Sequence, residues 1–218
     1  MIRVMIVDDH RLVRVALRAL LADARDIEVV GQADSGEEAV TLARELAPNV
    51  VLMDLRMPGL GGLEATRRLL RTDPGIRVVV VTACSEDPFP AQAIKAGAAG
   101  FLTKGASREE LLGAIRKVFL GQRCMSHQVA QHLALKSFED TCTCPFDHLS
   151  NRELQIAMMV VDCQRVQKIA TDLHLSPKTV NSYRYRIFDK LKVRSDVELA
   201  LLAARYGMID VDTARLQA

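Results

Sequence analysis

Short apolar, β-branched runs alternate with amphipathic helical patterns from the start of the chain to about residue 120. The runs are apolar on both faces, which is typical of parallel strands covered by helices on both sides. The last helical stretch starts at Ser107 as N-cap, has Glu110 at the capping-box position and stops at Gly121. This order predicts a doubly wound, flavodoxin-like α/β domain over residues 1–121 with five parallel strands. The five predicted strands are Ile2–Val7, Ile27–Gly31, Val50–Met53, Val78–Val81 and Gly100–Leu102.

The alternation of strands and helices is lost after residue 121. Residues 122–148 predict a linker, in which "HQVAQHLALKSF" offers at most a helical turn or two. From residue 149 only helical patterns remain, and they predict an all-α domain of four helices over 149–210, followed by a tail over 211–218. The helix signals are Ser150 with Glu153, Ser176 with Pro177, Ser195 with Glu198, and a stop at Gly207.

Composition and charge separate the two ends of the chain. Of its 218 residues 49% are apolar and 26% charged, which is enough apolar material for two small cores. Residues 1–122 carry 16 basic and 16 acidic side chains, whereas 149–218 carry 11 and 8, a net charge of 11 − 8 = +3. The stretch 165–194 alone has 8 basic and 2 acidic residues. A polyanionic partner is therefore expected for the C-terminal end only.

Cysteine usage and hydropathy indicate the compartment. The five cysteines are an odd number in a chain that is not short, so they predict no disulfide framework. The acidic pair Asp8-Asp9 comes before any apolar region of a signal peptide can form, and no apolar run approaches membrane-spanning length. We expect a cytoplasmic protein without a membrane partner.

Polar side chains stand where the predicted strands end. Strand 1 ends on Asp8 and Asp9, strand 3 on Asp54, strand 4 on Thr82 and strand 5 on Thr103-Lys104. If the strand order is 2-1-3-4-5, these groups converge at the carboxyl edge of the sheet, where ligands of open α/β sheets bind. Taken singly, each of these residues is more often a polar loop residue or a helix cap. The whole set at successive strand ends favours a ligand-binding site.

The acidic cluster predicts phosphoryl chemistry with a divalent cation. Close carboxylates repel one another, and Mg²⁺ relieves this repulsion because it prefers a few carboxylates plus waters. Such an ion also neutralises the charge of phosphoryl oxygens, and a lysine and a hydroxyl on adjoining strands suit the remaining oxygens. Asp54 is the candidate nucleophile toward phosphorus.

The runs "MIVDDH", "VVLMDLRMPG", "VVVVTA" and "GFLTK" resemble the motifs of response-regulator receiver domains over residues 1 to about 120. The resemblance implies that Asp54 accepts a phosphoryl group from a sensor histidine kinase and that Lys104 pairs with that group. It implies a Mg²⁺ site made by Asp9, Asp54 and the backbone carbonyl of Arg56, with Asp8 acting through water. It also implies that the Thr82 hydroxyl moves toward the phosphate while the ring of Phe101 turns inward.

The basic end contains a helix-turn-helix pattern, "QKIATDLHLSPKTVNSYRYRIFDKL". Helical spacing predicts that six apolar residues pack inward: Ile169, Ala170, Leu173, Val180, Ile187 and Leu191. The same spacing puts polar residues outward, where short amides and hydroxyls suit base edges and cations suit phosphates. The outward set is Lys178, Asn181, Ser182 and Tyr185, flanked by Arg184 and Arg186.

This stretch, from residue 149 to about 208, resembles the LuxR/NarL/FixJ-type DNA-binding domain. The resemblance implies that Lys178, Thr179, Asn181, Ser182 and Tyr185 lie at or beside DNA, with Lys190 as a backbone contact. Four stretches carry a narrower similarity: "EDPFPAQAIKAGAAGFLTKGAS", "QHLALKSF", "LSPKTVNSYRYRIFDKL" and "SDVELALLAARYGM". Through them the chain is similar, almost end to end, to the GacA/UvrY/SirA group of response regulators. That similarity implies a sensor kinase of the GacS/BarA type and promoters of small regulatory RNAs that titrate a CsrA/RsmA-type repressor.

Three functions are compatible with these features. The first is a phosphorylation-gated transcription factor, which would act as a homodimer on double-stranded promoter DNA and have RNA polymerase as a further candidate partner. The second is a metal-dependent phosphotransferase or phosphatase of the haloacid-dehalogenase kind, but that class needs a second aspartate two residues after the nucleophile, where this chain has Arg56. The third is an RNA-binding or protein-interaction output without DNA contact, against which the helix-turn-helix spacing argues. We therefore favour a regulator over an enzyme.

Overall fold

The computed structural model describes residues 1–83, 88–126, 129–131, 144–206 and 208. The chain forms two compact units, one built from residues 1–85 and 92–139 and the other from 86–91 and 140–218. The first contains the α/β fold and the second the helical fold that the sequence predicts.

The first unit is a parallel sheet in the order β2-β1-β3-β4-β5-β6. Its first five strands confirm the predicted strands to within two residues at each end. The sixth strand was not predicted: Cys124 and Met125 pair in parallel with Gly100 and Phe101, inside the segment interpreted as linker. Two residues are too few to show a strand period in the sequence. The strands are β1 Ile2–Val7, β2 Ile27–Ala33, β3 Val50–Met53, β4 Arg77–Thr82, β5 Gly100–Thr103 and β6 Cys124–Met125.

Helices cover both faces of this sheet. Because side chains alternate along a strand, Val4 and Ile6 of β1 pack with α1 and α5, whereas Met5 and Val7 pack with α2 and α3. Helix α5 begins with the predicted capping box of Ser107 and Glu110. The helices of this region are α1 Arg11–Leu21, α2 Gly36–Leu46, α3 Gly62–Thr72, α4 Phe89–Ala96 and α5 Arg108–Phe119.

The second unit consists of a 3-10 helix, Pro145–His148, and the helices α6 Asn151–Val161, α7 Val166–Asp172, α8 Pro177–Leu191 and α9 Asp196–Arg205. Its core contains Phe146, whose ring meets the ring of Tyr206 edge to face at 6.3 Å. All six residues that were predicted to pack inward are buried: Ile169, Ala170, Leu173, Val180, Ile187 and Leu191. Because Phe146 belongs to this core, the unit begins before residue 149, the predicted boundary of the helical domain.

The predicted caps of the helical unit form with one difference. Ser150 and Glu153 make a complete capping box, and the Ser176 hydroxyl accepts from the N–H of Thr179. The Ser195 hydroxyl accepts from the N–H of Glu198, but the Glu198 carboxylate accepts from the N–H of Arg194 and not from that of Ser195. The predicted stop at Gly207, the tail 211–218 and most of "HQVAQHLALKSF" lie outside the described residues.

Across the segments that the structure describes, no helix combines the length and the apolar character that crossing a membrane requires.

Candidate functional site

Asp54 lies directly after β3, at the carboxyl edge of the sheet, with 3% of its surface exposed. Its backbone N–H donates to the carbonyl of Val7 at 2.9 Å, which continues the pairing of β3 with β1. Its Oδ1 accepts from the N–H groups of Leu55 at 2.7 Å and Arg56 at 3.4 Å. The strand end and the following turn therefore fix this carboxylate in a single orientation.

Lys104 brings a positive charge to two of the predicted carboxylates. Its Nζ lies 2.8 Å from Asp54 Oδ2 and 2.8 Å from Asp8 Oδ2. Asp8 is 1% exposed at the end of β1, and Lys104 follows β5. The structure thus brings together side chains from three strand ends, as the sequence predicts.

The pKa values of Asp54 and Lys104 depend on their burial and on the contacts between charged groups. Desolvation raises the pKa of Asp54; the Asp8 charge adds to the rise, and the hydrogen bond and charge of Lys104 offset only part of it. Burial alone lowers the pKa of Lys104, but its hydrogen bonds to Asp54 and Asp8 outweigh that effect and raise it. Protein groups alone therefore leave the ionised form of Asp54 incompletely compensated.

Asp9 and His10 complete the acidic edge. Oxygens of Asp8, Asp9 and Asp54 and a ring nitrogen of His10 all lie within 4.8 Å of one another. His10 is the N-cap residue of α1, and its Nδ1 lies 2.9 Å from Asp9 Oδ1. Carboxylates this close, one of them with a raised pKa, have the chemistry of a site for a hard divalent cation such as Mg²⁺.

Thr82 and Phe101 lie on adjacent strands next to Lys104. Thr82 ends β4, pairs with Thr103 across the sheet, and its carbonyl accepts from the N–H of Lys104 at 2.9 Å. Phe101 lies on β5 between Val80 and Met125, and its ring is 1% exposed. The hydroxyl and the ring are thus both buried at the edge that carries Asp54.

Gly62 is a positioning residue that the sequence reasoning missed. It is the first residue of α3, and its N–H donates to the carbonyl of Leu55 at 3.2 Å. A Cβ at Gly62 would lie 1.9 Å from the carbonyl oxygen of Asp54. Only glycine allows the helix to approach the Asp54 backbone this closely. The adjacent pair Gly61-Gly62 is the signal in the sequence that points to such an approach.

The outward face of α8 carries most of the residues predicted to contact DNA. Lys178, Ser182 and Tyr185 are exposed, and Tyr185 keeps 74% of its surface accessible. Thr179 and Asn181 are partly buried on the same first turns, where the Thr179 hydroxyl lies 2.8 Å from that of Ser176. The face has polar, cationic and aromatic groups together, as phosphate and base contacts require.

Arg184 and Lys190, which are predicted to lie near DNA, both have partners within the helical unit. Nη2 of Arg184 donates to both carboxylate oxygens of Asp196, at 2.7 and 2.5 Å. Nζ of Lys190 lies 2.6 Å from Oε2 of Glu153, whose side chain is 6% exposed. Spacing places Arg184 beside the outward face, and the resemblance places Lys190 near DNA. Their partners on other helices are distant in sequence and gave no local signal.

The sheet order, the strand-end carboxylates with their lysine, and the helix-turn-helix define a class of protein: a receiver domain joined to a DNA-binding domain. Residues 4–116 match the response regulator receiver domain, and residues 147–203 match the luxR family of bacterial regulatory proteins. The chain belongs to the two-component response regulators with a LuxR-type output domain, which are transcription regulators controlled by phosphorylation.

Two relatives are similar over nearly the whole chain. The chain is 62% identical over 211 residues to the response regulator GacA of Pseudomonas aeruginosa, covering 96% of this chain and 99% of that protein. It is 49% identical over 218 residues to the response regulator UvrY of Escherichia coli K12, covering 100% of both.

Solved structures support the fold. RcsB of Salmonella typhimurium matches 94% of this chain and 98% of its own with a TM-score of 0.76 at 22% identity. RcsB bound to the promoter rprA, in the presence of the phosphomimetic BeF3-, matches 94% of this chain and 99% of its own with a TM-score of 0.70, also at 22% identity.

Proposed function

We propose that Asp54 is the phosphoacceptor and that its phosphorylation controls how the C-terminal domain binds promoter DNA. The observation that carries this proposal is the contact between the buried Asp54 carboxylate and the Lys104 ammonium, 2.8 Å apart at the end of three parallel strands. A nucleophile at this place is fixed by the backbone, and the cation needed for a phosphoryl oxygen is already beside it.

The chemical step transfers a phosphoryl group from a phosphohistidine of the kinase. An ionised oxygen of Asp54 attacks phosphorus, the new O–P bond forms, and the P–N bond breaks with its electron pair returning to the imidazole nitrogen. Lys104 then pairs with a phosphoryl oxygen, so that its positive charge compensates the new phosphoryl group and no longer the two carboxylates. The attacking oxygen carries no proton, and the positive charge of Lys104 favours this ionised form against the burial that raises the pKa of Asp54.

Mg²⁺ is the cofactor proposed for this step. Asp9 and Asp54 would bind the ion directly together with the carbonyl of Arg56, and Asp8 would act through water. The ion supplies positive charge that favours the ionised form of Asp54 and that compensates the phosphoryl oxygens. The crowded carboxylates within 4.8 Å and the burial-raised pKa of Asp54 support this assignment.

Thr82 and Phe101 are proposed as the switch. A phosphoryl oxygen on Asp54 recruits the Thr82 hydroxyl, and the space this leaves is filled by the aromatic ring of Phe101. Thr82→Ala should still be labelled by a phosphodonor but lose most of the phosphate-induced gain in DNA affinity, whereas an undiminished gain would contradict this role.

The DNA surface is proposed to be the exposed face of α8. Lys178 supplies affinity that depends on salt, and Tyr185 packs on the sugar–phosphate backbone beside the groove. Asn181, Ser182 and Thr179 are short enough for α8 to approach base edges closely in the major groove. One short helix reads only a few base pairs, so the chain would act as a homodimer on inverted half-sites.

The partners follow from the relatives. We infer a sensor histidine kinase of the GacS/BarA type, recruitment of RNA polymerase, and small regulatory RNA genes of a Gac/Rsm-type pathway as targets. The 62% identity to GacA and 49% identity to UvrY support this assignment. The RcsB complex with a promoter gives a precedent for DNA binding by this fold. A regulator of promoters works where the DNA is, so its proposed place is the bacterial cytoplasm.

The experiment that tests this function maps the genomic sites bound by the wild type and by Asp54→Ala in cells with an active kinase. We expect occupancy at promoters of small RNA genes with the wild type, and a loss of at least about tenfold with Asp54→Ala. Equal occupancy by both proteins would contradict control by Asp54, and the absence of promoter sites with the wild type would contradict the DNA-binding output.

A further inference from the structure

Three side chains form a hydrogen-bonded chain from the start of α9 to the DNA-facing side of α8. The Asp196 carboxylate accepts from Nη2 of Arg184, at 2.7 Å from Oδ1. Nη1 of the same guanidinium donates to Oδ1 of Asn181 at 3.1 Å. The guanidinium carbon also lies 5.8 Å from the centre of the Phe188 ring. Arg184 is thus held by a carboxylate and an aromatic ring while it contacts the predicted base-reading residue.

The orientation of the Asn181 amide follows from the chemistry of its neighbour. A guanidinium has five N–H donors and no acceptor, so the atom of the amide that faces it must be the oxygen. The amino group of Asn181 therefore points away from Arg184. The Arg184 side chain is 23% exposed and is paired with Asp196 at the same time.

We propose that Asp196 and Arg184 are positioning residues that make Asn181 a hydrogen-bond donor toward DNA, so that the contacted base is read through a major-groove acceptor. This inference rests on the proposed DNA-binding role of α8. It goes further because it names the chemistry that the operator must present at one position and the residues that set it.

The alternative for an asparagine is two hydrogen bonds with adenine, in which the amide oxygen accepts from N6 and the amino group donates to N7. Here the oxygen already accepts from Arg184. A second donor on that oxygen would bring the N6 hydrogens close to a guanidinium cation, which repels them. The donor alone suits the N7 and O6 of guanine, the O4 of thymine or the N7 of adenine. Cytosine presents only an N4 donor in the major groove and is excluded as the contacted base.

The test begins with selection of duplexes from a randomised double-stranded library by the full-length chain, in the presence of Mg²⁺ and beryllofluoride. The position read by Asn181 is the one whose base preference disappears in Asn181→Ala. We expect the affinity to depend on one major-groove acceptor of that base pair: the N7 or O6 of guanine, the O4 of thymine or the N7 of adenine. Replacing a selected purine by its 7-deaza analogue should weaken binding about tenfold. If the selected base is adenine, removing its N6 amino group should change the affinity by less than about twofold.

The positioning role is tested with Asp196→Asn and Arg184→Ala, which release the amide oxygen in two different ways. Both should shift the preference at the Asn181 position toward bases with a donor, cytosine or adenine, by about fivefold or more relative to guanine. Asp189→Asn is the matched control. It also removes the charge of an aspartate, but this aspartate lies on α8 and makes an exposed ion pair with Lys192. It should leave every base preference unchanged, and thermal unfolding of each variant checks that its helical domain is folded.

Each outcome decides a different claim. A shift at the Asn181 position alone, in Asp196→Asn or Arg184→Ala but not in the control, supports the inference. Unchanged affinity when each major-groove acceptor of the selected base pair is removed in turn, strong dependence on adenine N6, or an equal loss of affinity for all duplexes in both variants would overturn it. If the wild type enriches no common sequence, the proposed DNA-binding function itself fails.

Discussion

The ammonium nitrogen of Lys104 lies 2.8 Å from Oδ2 of Asp54, an ion pair that joins the end of β5 to the end of β3 across the intervening β4. The same nitrogen is 2.8 Å from Oδ2 of Asp8. One cation therefore compensates two buried carboxylates, which leaves one negative charge in excess at a site built to receive a phosphoryl group.

Removing this cation should slow phosphorylation while leaving the fold intact. In Lys104→Met the two carboxylates and the phosphoryl oxygens lose their nearest positive charge. The rate of labelling by acetyl phosphate in Mg²⁺ should therefore fall by on the order of a hundredfold. Lys117→Met, an exposed lysine on α5, is the control and should react like the wild type. An unchanged rate in Lys104→Met would remove this lysine from the mechanism.

The raised pKa of Asp54 predicts how stability depends on pH. A carboxyl whose pKa is higher in the folded than in the unfolded chain stabilises the fold fully below its unfolded pKa, and this contribution is lost as the pH rises through the folded pKa. Asparagine imitates the protonated form, so Asp54→Asn should unfold at a higher temperature than the wild type near neutral pH without Mg²⁺.

Thermal unfolding from about pH 4 to 8 in a chelator measures this effect, and the advantage of Asp54→Asn should shrink toward the acid end. Added Mg²⁺ should raise the melting temperature of the wild type more than that of Asp54→Asn, because the variant lacks one carboxylate. A variant less stable than the wild type at neutral pH would show that the Lys104 pair outweighs burial.

Gly62→Ala tests the close approach of α3 to the phosphoacceptor. Its methyl group would meet the Asp54 carbonyl at 1.9 Å, so the backbone must shift, at a cost of about 1–3 kcal/mol in the free energy of unfolding. Labelling should fall as well, because the displaced backbone carries the nucleophile. Gly113→Ala is the matched control: it lies within α5 with no atom within 4 Å of the added Cβ, and it should stabilise the protein by about 0.5–1 kcal/mol. Equal effects of the two changes would contradict the packing argument.

Lys190 should contribute to the stability of the helical domain and little to the salt dependence of DNA binding. Burial raises the pKa of Glu153, but hydrogen bonds from Lys190 and Ser150 outweigh it and lower the pKa below its ordinary value of 4.5. The pair therefore stabilises the fold above that value, and the contribution is lost as the pH falls through the lowered pKa. Lys190→Met should cost about 1–3 kcal/mol near neutral pH, because it leaves Glu153 buried without its cation.

Lys192→Met, which breaks an exposed pair with Asp189, should change stability by less than about 0.5 kcal/mol. In a salt series, Lys178→Ala should reduce the slope of log affinity against log salt by about 1, whereas Lys190→Met should not. If Lys190→Met reduces this slope and leaves the stability unchanged, Lys190 contacts a DNA phosphate, as the sequence predicts.

The sequence predicted which groups meet at the carboxyl edge of the sheet, because its signals are local. Asp54, Thr82 and Lys104 each follow an apolar strand, and parallel strands must end at a common edge, so the periodicity alone brings them together. The capping boxes at Ser107 and Ser150 are equally local patterns, and both form.

The structure differs from the sequence prediction where the deciding contact joins residues distant in sequence, or where the element itself is very short. Strand β6 has two residues, and its existence depends on the open edge of β5. Arg184 flanks the outward face as spacing predicts, and Lys190 follows it on the same helix. Their partners, Asp196 and Glu153, lie 12 and 37 residues away in sequence. A helical pattern indicates which way a side chain points but not which partner it meets there.

The central claim is that phosphorylation of Asp54 increases the affinity of the helical domain for DNA. The most direct measurement titrates a duplex recovered by selection with wild type and with Asp54→Asn, each with and without acetyl phosphate in Mg²⁺. We expect the phosphodonor to increase the affinity of the wild type by about tenfold or more, and to leave Asp54→Asn unchanged. An equal increase in both proteins, or none in a fully phosphorylated wild type, would contradict the claim.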